Sequence, residues 1–281
     1  MHNTRSSDDH ILVVQDLVVG FPNKATGSMK EVLHGVSLSL KQGEVLGLVG
    51  ESGSGKSVFS RSPLRLESPA EIISGSILLD GQELTTKSRR EMRAFRGEKI
   101  AMVMQDPRSA MDPVFTLGNQ LREVVSMHKA PGEEKKRGKA DPLRGTYELL
   151  KSVGLASPEE RCRQYPNEWS RGMLQRALVV MAFCSSPKVL ILDEVTSALD
   201  PTVSLQILDM IVQLKEEHDA GIILITHDLS VTLEVCDRVT VLQKGSIVET
   251  GAVREIFDHP VDPYTSLLVS GMNGDDSRKD Q

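Results

Sequence analysis

Gly50-Glu51-Ser52-Gly53-Ser54-Gly55-Lys56-Ser57 decides how this chain is read. The stretch satisfies the pattern G-x-x-x-x-G-K-[ST], whose glycines let backbone N–H groups turn inward around the β- and γ-phosphates of a nucleotide. Lys56 adds a point charge there, and the Ser57 hydroxyl is of the type that ligates Mg²⁺. The context fits. Glu44-Val45-Leu46-Gly47-Leu48-Val49 before it is a short apolar run, as a buried strand requires, and Ser57-Val58-Phe59-Ser60-Arg61-Ser62 after it can open a helix. A glycine-rich surface turn is the alternative, and the flanking strand and helix weaken it. The expectation is a chain that binds a nucleoside triphosphate.

Further along, Val189-Leu190-Ile191-Leu192-Asp193-Glu194 is an apolar strand that ends in two acids. Adjacent carboxylates at the end of a buried strand call for a cation or a proton to accept. The economical assignment puts Asp193 near Mg²⁺ and makes Glu194 the base that polarises an attacking water. Two acids capping the next turn is the alternative. The pattern recurs in Ile222-Ile223-Leu224-Ile225-Thr226, an apolar strand followed by His227-Asp228, one strand–helix–strand excursion after Glu194. A lone histidine is usually structural, but one at the carboxyl end of a strand beside a phosphate loop has a claim to the γ-phosphate. The other six histidines have none.

Between these motifs the chain is strand-rich from Ile11 to about Gly81, with a further strand at Ile100–Met104, and polar and helical-looking from about Thr116 to Glu168. Lys129 to Leu143 reads as a solvated excursion. Then come a helix over Ser170–Cys184, a strand at Val189–Leu192, a helix over Val203–His218, a strand at Ile222–Thr226 and a helix over Leu229–Cys236. Such alternation, with near-continuous apolar strands, means a parallel sheet covered on both faces, whose ligands sit at the carboxyl ends of strands.

The 281 residues carry 33 Lys and Arg against 39 Asp and Glu, a net charge of −6 that leaves no electrostatic footprint for nucleic acid. Cys162, Cys184 and Cys236 are odd in number and widely spaced, so they read as small buried hydrophobes rather than a disulfide framework or zinc site. The first ten residues hold no apolar signal segment and no run is long enough to span a bilayer, so the chain reads as a soluble cytoplasmic protein.

The order of motifs resembles that of the ATP-binding cassette ATPases from about Ile11 to Ser270: Gly50–Ser57, Gln105 after a strand, Ser170-Arg171-Gly172-Met173 before a helix, Asp193-Glu194, Ser197-Ala198-Leu199-Asp200, and His227. The resemblance implies an α/β P-loop NTPase core with a mainly parallel sheet, an N-terminal antiparallel β subdomain and an inserted helical subdomain at about 116–185. One domain over 11–270 is expected, with flexible tails at 1–10 and 271–281. It implies ATP and Mg²⁺ as cofactors. Phe21 resembles the aromatic on which adenine stacks, with a core or loop phenylalanine as the alternative. Gln105 resembles the glutamine that senses Mg²⁺ and the γ-phosphate. Ser170, Gly172 and the Met173 backbone resemble the signature that closes over the γ-phosphate held by an opposite subunit, and Asp200 the residue that crosses between subunits. Two cassettes then sandwich two nucleotides head to tail.

Gln105-Asp106-Pro107-Arg108-Ser109-Ala110-Met111-Asp112-Pro113-Val114-Phe115 and Asp258-His259-Pro260-Val261-Asp262-Pro263-Tyr264-Thr265 are similar to segments of the oligopeptide, dipeptide and nickel importers, with Asp262 where histidine is usual. In that branch the two prolines and Tyr264 read as pinning a C-terminal turn. The chain resembles a short member without an iron–sulfur site. Its implied partners are two transmembrane permease subunits, a second cassette and, indirectly, an extracytoplasmic solute-binding protein, on the cytoplasmic face of the cell membrane. An ATPase serving a soluble assembly, such as phosphonate carbon–phosphorus bond cleavage, is the alternative, followed by a non-transport cassette on ribosomes or DNA. Four residues depart from the pattern. Trp169 and Arg171 stand for the usual leucine and first glycine of the signature. Val195 replaces a proline, where it is expected to alter turn stiffness only, and Pro63 should kink or shorten the helix after the phosphate loop.

Overall fold

The computed structural model describes residues 10–23, 25–127, 143–197 and 199–276. The excursion expected at Lys129–Leu143 lies outside these except for Leu143, which is fully buried, and Ala198 lies outside as well. Of the expected tails, 1–9 and 277–281 lie outside.

Two sheets form the framework among the described residues. In the first, β1 (His10–Pro22), β2 (Met29–Lys41), β4 (Glu71–Leu79) and the short β5 (Gln82–Glu83) run antiparallel in the order β2-β1-β4-β5. Between β2 and β4 come β3 (Val45–Val49) and α1 (Lys56–Arg61). After β5 follow α2 (Arg89–Met92) and β6 (Ile100–Val103). The helical stretch is α3 (Leu117–Met127), α4 (Arg144–Ser152), α5 (Pro158–Arg161) and α6 (Arg171–Phe183). The chain then runs through β7 (Val189–Asp193), α7 (Pro201–His218), β8 (Gly221–Thr226), α8 (Leu229–Val235), β9 (Arg238–Gln243), β10 (Ser246–Ala252), α9 (Val253–Asp258) and α10 (Pro263–Asp276). The second sheet has the order β10-β9-β3-β8-β7-β6, parallel throughout except for the β9–β10 hairpin.

The apolar strands explain the layers. Every residue of β3, β7 and β8 is buried, because both faces of the sheet are covered. Side chains alternate across a strand, and the two faces feed two cores. Leu190, Leu192, Ile222 and Leu224 join the helices in a cluster with Leu117, Phe183 and Ile211. Val189, Ile191, Ile223 and Ile225 face the antiparallel sheet, against Leu12, Leu40, Phe59 and Ile77.

Several expectations are corrected. α10 continues to Asp276, six residues into the segment expected to be a tail, and His10 already opens β1. The strands β9 and β10 and the helices α9 and α10 extend the order beyond what the motifs located. Val195 is 1 % exposed and belongs to the helix-side core, so its side chain does more than set the stiffness of a turn. As expected, α1 is short: it stops at Arg61 and Pro63 sits in a 3₁₀ turn over Ser62–Leu64.

Candidate nucleotide site

Four neighbouring strands of the parallel sheet, β3, β8, β7 and β6, end along one edge, and each carries one piece of the site just past its last residue. The register aligns Val49 with Thr226, Ile225 with Asp193, and Leu192 with Val103. Gly50, His227, Glu194 and Gln105 therefore leave the same edge of the sheet, although they lie far apart in sequence.

The loop after β3 depends on glycine at two places. Gly50 has φ 151, and a Cβ there would lie 2.1 Å from the Leu242 carbonyl oxygen. Gly55, the residue before α1, has φ 109, and its Cβ would meet Leu33 Cδ2 at 2.8 Å. Lys56 is 5 % exposed and folds back onto its own loop, its Nζ donating to the carbonyls of Gly50 at 2.5 Å and Glu51 at 2.8 Å. Burial lowers the Lys56 pKa, while Glu194, Asp193 and Glu51 oppose that shift. Ser54 Oγ is buried and has no hydrogen-bond partner among the described residues. A buried, unsatisfied hydroxyl inside a ring of turned amides fits a loop shaped to receive an anion. Ser57 is exposed, Gly53 has φ 81, and Ser52 lines the cavity beside the loop.

Asp193 is the last residue of β7 and 6 % exposed. Ser60 Oγ, on the α1 face turned to β7, donates to Asp193 Oδ2 at 3.0 Å. Desolvation raises the Asp193 pKa, Ser60 lowers it and the Glu194 charge raises it further. A carboxylate so poorly solvated fits a place for a cation. Among the described residues no cluster of three or more His, Cys, Asp or Glu is placed to hold a metal by itself. Oxygen donors such as the Asp193 carboxylate and the Ser57 hydroxyl are of the type Mg²⁺ takes, an ion that usually draws its other ligands from water and phosphate.

Glu194 stands at φ 50, a left-handed backbone that costs a non-glycine residue of order 1–3 kcal/mol. Its N–H still donates to the Ile225 carbonyl at 2.9 Å, so the bend comes immediately after the strand. The carboxylate spans two partners: Gln105 Nε2 donates to Oε2 at 2.6 Å, and His227 Nδ1 lies 3.5 Å from Oε1. Gln105 Nε2 also lies 3.4 Å from Ser197 Oγ, which donates to the Glu194 carbonyl at 2.8 Å. Gly50, Glu51, Ser52, Glu194 and His227 line one cavity of about 440 Å³ with Leu229 and Leu268.

Other expected site residues lie elsewhere. Phe21 is the penultimate residue of β1, paired with Lys30, and its ring packs against the core between the sheets. Ser170 Oγ caps α6 by accepting from the Met173 N–H at 3.3 Å, and Asp200 Oδ1 caps α7 by accepting from the Val203 N–H at 2.9 Å. Neither hydrogen-bonds to the phosphate loop among the described residues. Gly172 lets these helices close, since a Cβ there would lie 2.8 Å from Val203 Cγ1. Arg171 Nη2 reaches the Gln105 carbonyl at 3.5 Å, and Trp169 is a buried core residue. Two residues at the site were not anticipated. Ser60 follows Lys56 by one helical turn, and that periodicity places it against β7. Tyr264 Oη accepts from the Glu51 N–H at 2.9 Å across 213 residues of sequence, and no local pattern announces it.

The model of the ABC transporter family matches residues 33–197. The chain is 42 % identical over 266 residues to "Probable peptide ABC transporter ATP-binding protein y4tR" of Sinorhizobium fredii, covering 94 % of this chain and 77 % of that protein. It is also 42 % identical over 264 residues to "Oligopeptide transport ATP-binding protein OppD" of Bacillus subtilis, covering 93 % and 72 %. Among solved structures, cbiO1 from Clostridium perfringens, part of the ABC transporter complex cbiONQ, superposes with a TM-score of 0.73 at 27 % identity, over 89 % of this chain and 92 % of that one.

Proposed function

This chain belongs to the ABC transporter family and is one of its ATPases, and from that premise we propose that it powers the import of short peptides, or of a related small solute such as a nickel chelate, through partner membrane subunits. The observation that carries the catalytic part is the Glu194 carboxylate, held between Gln105 Nε2 and His227 Nδ1 at the edge of a cavity walled by the phosphate loop. Peptide-transport relatives at 42 % identity over nearly the whole chain support the solute class.

In this reading Lys56 exchanges the Gly50 and Glu51 carbonyls for phosphate oxygens, and the amides of Ser52 to Ser57 turn toward the β- and γ-phosphates. Ser57, Asp193 and Gln105 are the residues that would hold Mg²⁺, which supplies neutralisation of phosphate charge and Lewis-acid polarisation. Glu194 orients a water and accepts its proton, and His227 holds the γ-phosphate side of the cavity. Phe21 is proposed to present its outer ring face to adenine. Ser170, Gly172 and Asp200 serve the site of an opposing cassette, a role supported by the capping of Ser170 and Asp200 on their own helices rather than on this chain's loop. The proposed assembly is two permease subunits, this chain with a second cassette, and a solute-binding protein outside the membrane, with residues 11–270 as one ATPase domain and 116–185 as its helical part. No helix among the described residues is long and apolar enough to cross a membrane, and a peripheral place on the cytoplasmic face fits that.

The test is Glu194→Gln in the assembled complex. ATP binding should persist while hydrolysis and ATP-dependent peptide uptake into vesicles fall by about 10²–10⁴-fold, the usual worth of a general base. Turnover at the wild-type rate would sink the assignment.

A further inference from the structure

Tyr264 is the second residue of α10 and is 8 % exposed, with its phenolic oxygen turned to the phosphate loop. The amide it receives belongs to Glu51, and three other contacts converge on Glu51 and Gly50. The Glu51 carbonyl accepts from Lys56 Nζ at 2.8 Å and from the Ser54 N–H at 3.2 Å, and the preceding Gly50 carbonyl accepts from the same Nζ at 2.5 Å. The seat of Tyr264 is itself built. Asp262 Oδ1 accepts from the Tyr264 N–H at 2.8 Å, and the N–H groups of Val261 and Asp262 donate to the two Glu249 oxygens on β10 at 2.9 Å and 3.0 Å. Hydrogen bonds thus run from β10 through the 261–262 turn to Tyr264 and on to the opening of the loop. One helical turn beyond, Leu268 lines the same cavity as Gly50, Glu51 and Ser52. A ring placed for packing alone has no need of an oxygen on a loop amide; phenylalanine would fill the space equally well.

We propose that Tyr264 is a positioning residue for nucleotide: by holding the Glu51 peptide it presets the amides that follow, so that α10 and its Glu249-anchored turn set the affinity of the phosphate loop. The inference rests on the phosphate-binding role of residues 50–57 stated above. A loop held in its binding shape loses less freedom when phosphate arrives, which strengthens binding without touching the bond that breaks. ATP and ADP both engage the loop, so both weaken together when the hold is released. The expected signature is a raised KM with kcat retained.

The experiment compares the full chain with Tyr264→Phe, which keeps the ring and removes the one oxygen, in MgATP and MgADP titrations and in ATPase assays of the assembled complex. Affinity for both nucleotides should fall roughly threefold to tenfold, the range expected for one hydrogen bond, with KM rising in step and kcat unchanged. Glu249→Gln, which strips one turn amide of its carboxylate partner, should weaken nucleotide binding in the wild-type background and add nothing in the Tyr264→Phe background. Unchanged nucleotide affinity in Tyr264→Phe, a loss confined to kcat, or full additivity of the two substitutions would each overturn the proposal. Failure of the underlying reading is separate: wild-type chain would then bind no MgATP, or Lys56→Ala would bind it as well as wild type.

Discussion

At the scale of single residues, backbone strain and site chemistry coincide at Glu194. Its φ of 50 turns the carboxylate off the end of β7 and toward Gln105 and His227, an arrangement an extended backbone would not give. Arg171 raises a different question, because glycine is usual at its place in the family signature it resembles. Within this chain its guanidinium reaches the Gln105 carbonyl at 3.5 Å, tying the start of α6 to the segment that carries Gln105. Arginine offers phosphate a planar fork of donors, yet in the proposed assembly its bulk would stand where an opposing loop approaches. Steric cost is expected to win. Arg171→Gly should raise the ATPase rate of the assembled complex severalfold, and a fall in that rate would show Arg171 to be a productive phosphate ligand. Substitution at the first helical position should change thermal stability little beyond the roughly 1 kcal/mol that glycine costs a helix.

At the scale of elements, the pairing of the short β5 with β4 is reinforced by one side chain. Glu83 accepts from Ser76 Oγ at 2.7 Å, the Ile77 N–H at 3.1 Å, and the N–H and hydroxyl of Thr85 at 2.9 Å and 2.7 Å. Burial alone would raise its pKa, but these donors outweigh it and bring the carboxyl down to about 2 from an ordinary 4.5. A depressed folded-state pKa contributes stability above the unfolded value, and that contribution disappears as pH falls through the folded one. Glu83→Gln should therefore lower the melting temperature at pH 7 by roughly 2–4 °C, the shift about 1 kcal/mol gives in a large domain once solvent screening is allowed for. The gap from wild type should close between pH 4.5 and about 2. A difference constant across that range would mean Glu83 acts through shape rather than charge.

At the scale of the whole molecule, the expected site residues fall into two groups with no hydrogen bond between them among the described residues. The phosphate loop, Asp193, Glu194 and His227 gather at the carboxyl edge of the parallel sheet, whereas Ser170 and Asp200 sit at the N-termini of α6 and α7, capping their own helices. In the proposed assembly a second cassette brings its counterpart of Ser170 over this chain's phosphate loop. The purified chain alone is expected to hydrolyse ATP slowly, and addition of a distinct second cassette should raise the rate while two membrane proteins co-purify with the pair. Light scattering and ATPase assays on the isolated chain check this: a fully active homodimer would remove the need for a different partner.

Much of this was legible in the sequence because it is written in local pattern. The phosphate loop between an apolar run and a helix, the acids closing Val189–Leu192, and His227 closing Ile222–Thr226 all follow from strand burial and chain punctuation, which short windows carry. Where β1 ends is not written locally, because pairing of Phe21 with Lys30 and of Pro22 with Met29 carries the strand to Pro22. Val195 does lie in a turn, but its burial, like the continuation of α10 past Gly271, depends on what packs from elsewhere and is not written locally. Tertiary structure alone decided that Gln105 and His227 share the Glu194 carboxylate, since strand order brings β6, β7 and β8 side by side. It alone placed Tyr264 on the Glu51 amide. A hydrogen bond spanning 213 residues leaves no periodicity in the chain, and only the folded path of the backbone brings its two ends together.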